Sequence, residues 1–534
     1  MAASSSHSRD SLSTSDEPRH NDDAEARYTL VLTRRSDDPA RDAASLPRDQ
    51  LPSHHVPTLV ARAARVRSVV RSAVAKVKPG DKAKTHDYLN DGALAALTFQ
   101  NPWDSFRKPT VHDMINGGLK WGLPRGYDEG EGKGKYRGKG KAADKRLQEL
   151  GESLRDIAVR KPDWGEGLDD GGQGVRVTWL GHATTLISFP PLGSAPDGSK
   201  RAFNVLIDPV FSERCSPSQT AGPIRFTPAP CSIDDDNFPL IDCCLISHSH
   251  YDHQDYNSLR DLLRTRGSAL NVLVPLGNKH WFTESGFADD QVSELDWWDE
   301  AAIEFGGASR MRIVCTPAQH GSGRGAGDKD VTLWSSWLIE RVASEDERYR
   351  VFFAGDTGLR FKNENRKPRS AYPVCPAFRE ISIRYGVPHL LLLPISVGSS
   401  LSYVRSFDPF PRAYSPWPRV ESPLTSAIHM DGQDSVDCAK IMRLEGETDD
   451  AAVKARKRGP RSGPTCLAVH YGTFVRNAAQ TRGDLRMLFD ACERDGMRFI
   501  RTHDGHYDAA ASPSGKGRFL VSDQGETVSL PLDA

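Results

Sequence analysis

The stretch Ser247-His248-Ser249-His250-Tyr251-Asp252-His253 places three imidazoles and a carboxylate in one short loop, directly after the run Leu240 to Ile246. Imidazole nitrogen and carboxylate oxygen are the usual ligands of catalytic zinc, and ligands so close in sequence can serve two ions a few Å apart. The loop therefore reads as part of a binuclear metallohydrolase site, since a solvated polar turn has no need of three histidines.

Further ligand types occur just past other apolar runs. His320 follows Met311 to Cys315 by a few residues, Asp356 follows Val351 to Gly355, and His470 follows Cys466 to Val469. Strand ends lying side by side would bring these residues to one edge of a sheet. Catalytic zinc takes three or four protein ligands and keeps a place for water. The expected arrangement is His248, His250 and His320 around one ion, Asp252, His253 and His470 around the other, and Asp356 between them. Two divalent cations, the carboxylates of Asp252 and Asp356 and one hydroxide sum to about +1, a charge suited to a singly charged phosphodiester. Asp252 and Asp356 are thus expected to be catalytic as well as ligating, with water made acidic by the ions as nucleophile.

Ligand histidines are commonly fixed by a carboxylate on the other ring nitrogen. Asp208, after Val205-Leu206-Ile207, is the candidate for that role, with an ordinary Asp-Pro turn as the alternative. His429 is expected to contact substrate or to act as a general acid at the leaving oxygen. His182 either lines the site or caps a strand, and is not expected to be a ligand. His503 and His506 read as structural.

The elements that position these residues are short. From Val175 onward, runs such as VRVTWL, LIDCCLI, LNVLV, RVFFA, HLLLLPI and TCLAV are bounded by Gly, Pro and Asp, with helical segments at Tyr256 to Arg264 and Gln480 to Arg494 between them. That texture is α/β. Polar insertions at Arg360 to Pro373, Ser400 to Pro423 and Glu445 to Gly463 read as surface loops. Upstream, residues 1–57 are rich in Ser, Asp, Arg, His and Pro, apart from Tyr28 to Leu32, and are expected to be disordered. Residues 58–145 form a second region. In it, Thr58 to Lys78 carries six basic residues and no acid, and reads either as a basic amphipathic helix on an anionic membrane or as a solvated helix docked on the chain. Tyr127 to Lys145 has the composition of a flexible linker. The catalytic domain is expected over 146–534.

Bulk composition narrows the function. Seventy Lys and Arg against seventy-one Asp and Glu leave a net charge of −1, which argues against a long nucleic acid as partner. The nine cysteines include no C-x-x-C pair, and Cys243-Cys244 lie inside an apolar run, which favours a reducing, intracellular setting over a disulfide framework. No apolar stretch approaches the roughly 18 residues of a membrane span, and the start lacks a secretion-signal pattern, so a soluble or peripheral protein is expected.

The pattern H-x-H-x-D-H, followed by distant His, Asp and His, resembles the metallo-β-lactamase superfamily. More closely, the chain resembles N-acylphosphatidylethanolamine-hydrolysing phospholipases D. The stretches that carry the likeness include Trp179 to Thr184, Asp208 to Ser212, Ser216 to Gln219, Ile246 to Ser258, Val274 to Gly277, Glu294 to Trp298, Thr316 to His320, Phe352 to Gly358, Cys375 to Phe378 and Val469 to Phe474, with a weaker echo at Asn101-Pro102-Trp103. The resemblance implies an αββα sandwich, two Zn²⁺ ions per chain and cleavage of N-acylphosphatidylethanolamine to an N-acylethanolamine and phosphatidic acid. It further implies a peripheral, membrane-associated homodimer with substrate contacts at Tyr251 and His429. The chain departs from the pattern by a longer N-terminus and by insertions before Cys375, before His429 and before Cys466. Competing readings are another hydrolase on this scaffold, such as a lactonase or a nucleotide or RNA phosphodiesterase, and a non-catalytic membrane-associated scaffold. Manganese or iron could replace zinc in such a donor set. The cytoplasm and organelle membranes, mitochondria included, are the locations that fit.

Overall fold

The run Leu390-Leu391-Leu392-Leu393-Pro394 is apolar throughout and buried throughout, as a parallel strand covered on both faces must be. In the computed structural model it is a central strand of a nine-stranded sheet. The structure describes residues 27–33, 53–58, 96–113, 119–120, 151, 155–166, 168, 174–307, 309–323, 328–362, 367–397, 419–420, 422–460, 463–475, 478–503, 505–506 and 516–532. The order of that sheet is β1 (Val31–Thr33), β11 (Glu300–Gly306), β12 (Ser309–Thr316), β13 (Ser336–Val342), β14 (Arg348–Phe353), β15 (Leu390–Pro394), β17 (Thr465–Val469), β19 (Arg518–Val521) and β18 (Arg498–Arg501).

A seven-stranded sheet faces it, in the order β10 (Val292–Leu295), β9 (Asn271–Pro275), β8 (Cys243–Leu245), β7 (Phe203–Ile207), β6 (Thr184–Phe189), β5 (Val175–Gly181) and β20 (Thr527–Leu530). Two small pairings complete the strands: β2 (His55–Thr58) with β3 (Ala96–Phe99), and β4 (Leu119–Lys120) with β16 (Arg419–Val420).

Side-chain alternation along the strands sets the layers. Val205 and Ile207 of β7 join the core shared with the other sheet, whereas Leu206 turns outward. There it meets the cluster of Leu259 and Leu262 on α1 (Tyr256–Arg266). The adjacent thiols divide in the same way, Cys243 inward and Cys244 outward. Helix α1 begins just past the histidine loop because Asp255 caps it, its side chain accepting from Ser258 N. On the far side α2 (Ala377–Tyr385), α3 (Gly432–Met442) and α4 (Ala478–Asp495) cover the nine-stranded sheet, with Phe378 of α2 meeting Phe352 of β14 edge-on at 6.3 Å. The order is helix, sheet, sheet, helix. All nine cysteines are free, as their spacing led us to expect.

Two stretches inside residues 1–57 belong to this fold. Tyr28 is 9% exposed, with its ring 5.3 Å from that of Phe203, and β1 pairs antiparallel with β11 at the sheet edge. His54 and His55 are buried where β2 begins. For these stretches the expectation of disorder is corrected: one buried aromatic and a free sheet edge offset the ordering entropy that composition alone could not. The rest of 1–57, the basic segment Thr58 to Lys78 except for Thr58 itself, and the linker Tyr127 to Lys145 lie outside the described residues.

Truncating the outward-facing Leu206 to alanine opens a cavity at a fully buried site and is expected to lower stability by about 2–5 kcal/mol. The edge substitution Leu32→Ala, at a residue 39% exposed, should change it by less than about 0.5 kcal/mol. Urea unfolding of the two variants checks the contrast, and equal effects would mean that the outer layer is misassigned.

Candidate metal centre

Strands β12, β14, β15 and β17 all run in one direction, so their ends come to a common edge. From that edge β12 delivers Gln319 and His320, β14 delivers Asp356 and β17 delivers His470. The facing sheet contributes His182 after β5, Asp208 after β7 and the loop Ser247–His253 after β8.

These turns are sharp. His182, Asp208 and His470 have φ of 49°, 45° and 59°, in the left-handed region that costs non-glycine residues roughly 1–3 kcal/mol. Neighbouring hydrogen bonds hold them there. His470 N donates to His182 O at 2.7 Å, His182 N donates to Thr473 Oγ1 at 2.6 Å, and Asp208 N donates to Leu245 O at 2.9 Å. Gly355, at φ 60°, lets β14 end against the loop, because a Cβ there would sit 3.0 Å from Ser247 Cβ.

All seven side chains expected from the sequence meet at this edge. Ligand atoms of His248, His250, His320 and Asp356 lie within 4.8 Å of one another, as do those of His182, Asp252, His253 and His470. Asp356 joins the two groups. Its Oδ1 is 2.7 Å from His470 Nε2, and its Oδ2 is 3.3 Å from His253 Nε2 and 3.7 Å from His320 Nε2. His182, set aside as a ligand on sequence grounds, stands in the second group with Nε2 3.2 Å from Asp252 Oδ2.

Hydrogen bonds choose which ring nitrogen faces inward. Asp208 Oδ2 is 2.8 Å from His253 Nδ1, which leaves Nε2 for a ligand. Ser247 Oγ donates to Asp208 Oδ2 at 2.6 Å and is 2.9 Å from His248 Nδ1, so it accepts there and frees Nε2 of that ring. His320 Nδ1 donates to Ile428 O at 2.9 Å, and His250 Nε2 donates to Gly323 O at 3.2 Å. His250 therefore offers Nδ1, and the other three offer Nε2.

The electrostatics suit a cation. Burial pushes His248 well below its ordinary pKa, with His253, His250 and His320 adding to the effect. Burial also takes His320 down to about 3, against the pull of Asp356, and His182 to about 3 with help from His470. Burial would raise the Asp356 carboxyl, but His253 and His470 more than offset it and hold the group well below the carboxylate range. For His253 burial opposes protonation, and Asp356 with Asp208 outweighs it, so that ring must give up a proton to a metal ion. His253 Nε2, His470 Nε2 and Asp356 Oδ1 are buried without a hydrogen-bond partner, each costing about 1–3 kcal/mol that a shared cation would remove.

His429 reaches the same carboxylate, its Nε2 lying 3.1 Å from Asp356 Oδ2. Gln319 Nε2 donates to Ala427 O at 2.8 Å, and the absence of a side chain at Gly358 admits that segment, since a Cβ there would meet Ala427 O at 2.1 Å. Two residues on, Asp431 caps α3 and pairs with Lys362 at 2.8 Å and Arg369 at 3.0 Å. Arg360 in turn reaches Asp434 at 3.2 Å. These cations come from the insertion Arg360 to Pro373, which we expected to be a surface loop. Its described part instead braces α3, because the aspartates of that helix need buried partners. Tyr251, next to Asp252, is 36% exposed at the rim. His503 and His506 pair through their backbones and belong to neither group, in keeping with the structural role expected.

Asn101 was missed as a site residue. Its carboxamide brackets the backbone of His320, accepting from His320 N at 3.1 Å and donating to His320 O at 2.7 Å. Ser105 Oγ likewise donates to Gln319 Oε1 at 2.5 Å. The echo Asn101-Pro102-Trp103 was the available signal.

A family model described as a β-lactamase superfamily domain matches residues 203–440. Over those residues the chain has the metallo-β-lactamase fold. An uncharacterized protein of Mycobacterium tuberculosis is 34% identical over 219 residues, 41% of this chain and 48% of that protein. An N-acyl-phosphatidylethanolamine-hydrolyzing phospholipase D 1 of Caenorhabditis elegans is 35% identical over 189 residues, 35% of this chain and 48% of the relative. A protein of Saccharomyces cerevisiae named as the mitochondrial form of that enzyme is 34% identical over 181 residues, 34% of either chain. The chain thus spans about half the length of the first two relatives and a third of the yeast protein. The crystal structure of the metallo-β-lactamase fold protein YhfI from Bacillus subtilis superposes with a TM-score of 0.32 at 12% identity, covering 67% of this chain and 100% of that one. At that score the likeness adds no weight.

In this metallo-β-lactamase domain Asp208→Asn should weaken metal retention roughly 10–100-fold by loosening the Asp208 bond to His253. Competition against a chelator measures it. Unchanged retention would show that Asp208 does no more than shape its turn.

Proposed function

We propose that the protein is a phosphodiesterase of the phospholipase D type that binds two Zn²⁺ ions and hydrolyses N-acylphosphatidylethanolamine to an N-acylethanolamine and phosphatidic acid. The observation that carries the reading is Asp356, whose two carboxylate oxygens face ring nitrogens of both ligand groups. The names of the worm and yeast relatives supply the substrate class.

His248, His250 and His320 would hold one ion, and Asp252, His253 and His470 the other, with Asp356 shared and His182 beside Asp252. When bound, the ions neutralise charge on the phosphoryl oxygens and make water acidic enough to attack near neutral pH. The protein's own part is positional. Asp208, Ser247 and the carbonyls of Ile428 and Gly323 fix the ligand tautomers, so little rearrangement accompanies the reaction. His429 lies at the inner wall, where it can contact the substrate or pass a proton to the leaving oxygen, and Tyr251 meets the substrate at the rim.

The substrate resides in a membrane, and the reading includes peripheral attachment to an intracellular, cytoplasmic or organelle surface. No helix among the described residues is long and apolar enough to cross a membrane. Exposed Ile224 and Phe226, at 48% and 47%, offer apolar contact near the site, since Phe226 N donates to Thr473 O beside the turn at His182. A homodimer and attachment by the basic segment Thr58 to Lys78 belong to the same proposal.

Incubation with vesicles of N-acylphosphatidylethanolamine should release phosphatidic acid. A chelator should abolish that product, and Asp252→Asn should reduce it at least about 100-fold, a ligand being worth more than a group that only orients one. Turnover confined to soluble esters or nucleotides would reassign the protein to another hydrolase of this fold, and metal-loaded but inert protein would make it a scaffold.

A further inference from the structure

A separate group of histidines and a carboxylate lies at the antiparallel pair of β2 and β3. His54 and His55 are 2% and 5% exposed, and both reach Asp296 in the turn after β10. His54 Nε2 is 2.7 Å from Asp296 Oδ1, and His55 Nε2 is 3.0 Å from Asp296 Oδ2. Ligand atoms of the three residues lie within 4.8 Å of one another, and none of them takes part in the centre around Asp356.

Hydrogen bonding accounts for only part of this arrangement. His54 is aligned with Asp296, and Trp297 N donates to the same oxygen at 2.7 Å. His55 is different. Both of its ring nitrogens are buried without a hydrogen-bond partner, although Nε2 is so near Oδ2. Proximity to a carboxylate without alignment is also what His470 Nε2 shows toward Asp356 Oδ1 in the ligand cluster described above. An imidazole left so carries the desolvation cost of its unpaired groups, unless something other than the carboxylate satisfies them.

The surroundings fix the rings. His54 stacks on Trp297 at 4.2 Å, Trp297 stacks on Trp103 at 5.4 Å, and His55 packs edge-on against Phe99 at 5.4 Å. Burial would raise the Asp296 carboxyl, but His54 and His55 more than offset that and keep it ionised. Two imidazoles and one carboxylate form a donor set that zinc accepts, and a divalent ion would neutralise the buried anion.

We propose that His54, His55 and Asp296 bind one further divalent transition ion, zinc by its donor set, which staples the pair of β2 and β3 to the domain. Its seclusion marks it as structural, since the side chains of both histidines are at most 3% exposed and that of Asp296 15%. The staple matters because a two-stranded sheet is marginal by itself. β3 ends at Phe99, and Asn101, which brackets His320, follows two residues later. A metal that pins this strand pair therefore also pins His320 of the other centre.

The test is elemental analysis of the full chain. The double variant His54→Ala with His55→Ala should hold one equivalent fewer per chain than the wild type, whatever the wild-type total. Crystals of the wild type should show a zinc-edge anomalous peak bounded by His54, His55 and Asp296, and this arm stands even if the double variant fails to fold. Equal metal content in a folded variant, or no peak in the wild type, overturns the proposal and leaves a hydrogen-bonded latch. Asp356→Asn separates the two centres, because it should deplete the other site and keep the peak at His55.

Discussion

The structure depends on one buried carboxylate ringed by imidazoles. Asp356 is 3% exposed and faces His253, His320, His429 and His470, four rings carried on segments from both sheets. Taking such an anion out of water is expensive unless it is compensated. The two sheets must therefore close with their strand ends in register, because a displaced edge would leave the charge unpaired. The left-handed turns at His182, Asp208 and His470 follow from this requirement. Each bends a strand end steeply enough to bring its side chain back over the edge, and the strain is tolerated because the surrounding backbone bonds are made in the same step.

Support around the ligands is layered. One residue, Ser247, links Asp208 to His248 while Asp208 also holds His253, so two ligand rings share one buried carboxylate behind them. On the opposite side the segment before α3 is tied to Gln319 and His320, and its helix is braced by Lys362, Arg360 and Arg369. The wall that carries His429 is thus fixed by ion pairs and the floor that carries His253 by hydrogen bonds, which is consistent with a site assembled before any substrate arrives.

Much of this was legible in the residues. The histidine loop could be read because its donors are contiguous, and the distant partners because each follows an apolar run that could only be a buried strand. Asp208, singled out by its position after β7, lies 2.8 Å from His253 Nδ1, although the sequence left an ordinary turn equally open. His182 was not legible as a member of the group, since a histidine at a strand end has the same local signature whether it faces a metal or caps a turn. Asn101 was marked only by the echo Asn101-Pro102-Trp103, because it acts on the backbone of His320 and backbone contacts leave no mark on residue type. Distance along the chain hid Tyr28 and the pair His54 and His55. Their partners lie more than 170 residues away along the chain, and a polar neighbourhood masks isolated anchors.

The bond from His470 N to His182 O carries a consequence for how the protein is made. The histidine loop leaves the ribosome long before His470 does. At the usual elongation rates the interval from His253 to His470 lasts roughly 10–40 s. Throughout that time the nascent chain displays an unfinished histidine cluster, and its seven-stranded sheet lacks β20, the edge strand that pairs with β5. Late closure of this kind belongs to folds dominated by distant pairings, which form slowly. The polypeptide must therefore be shielded from aggregation until β17 and β20 have both been translated.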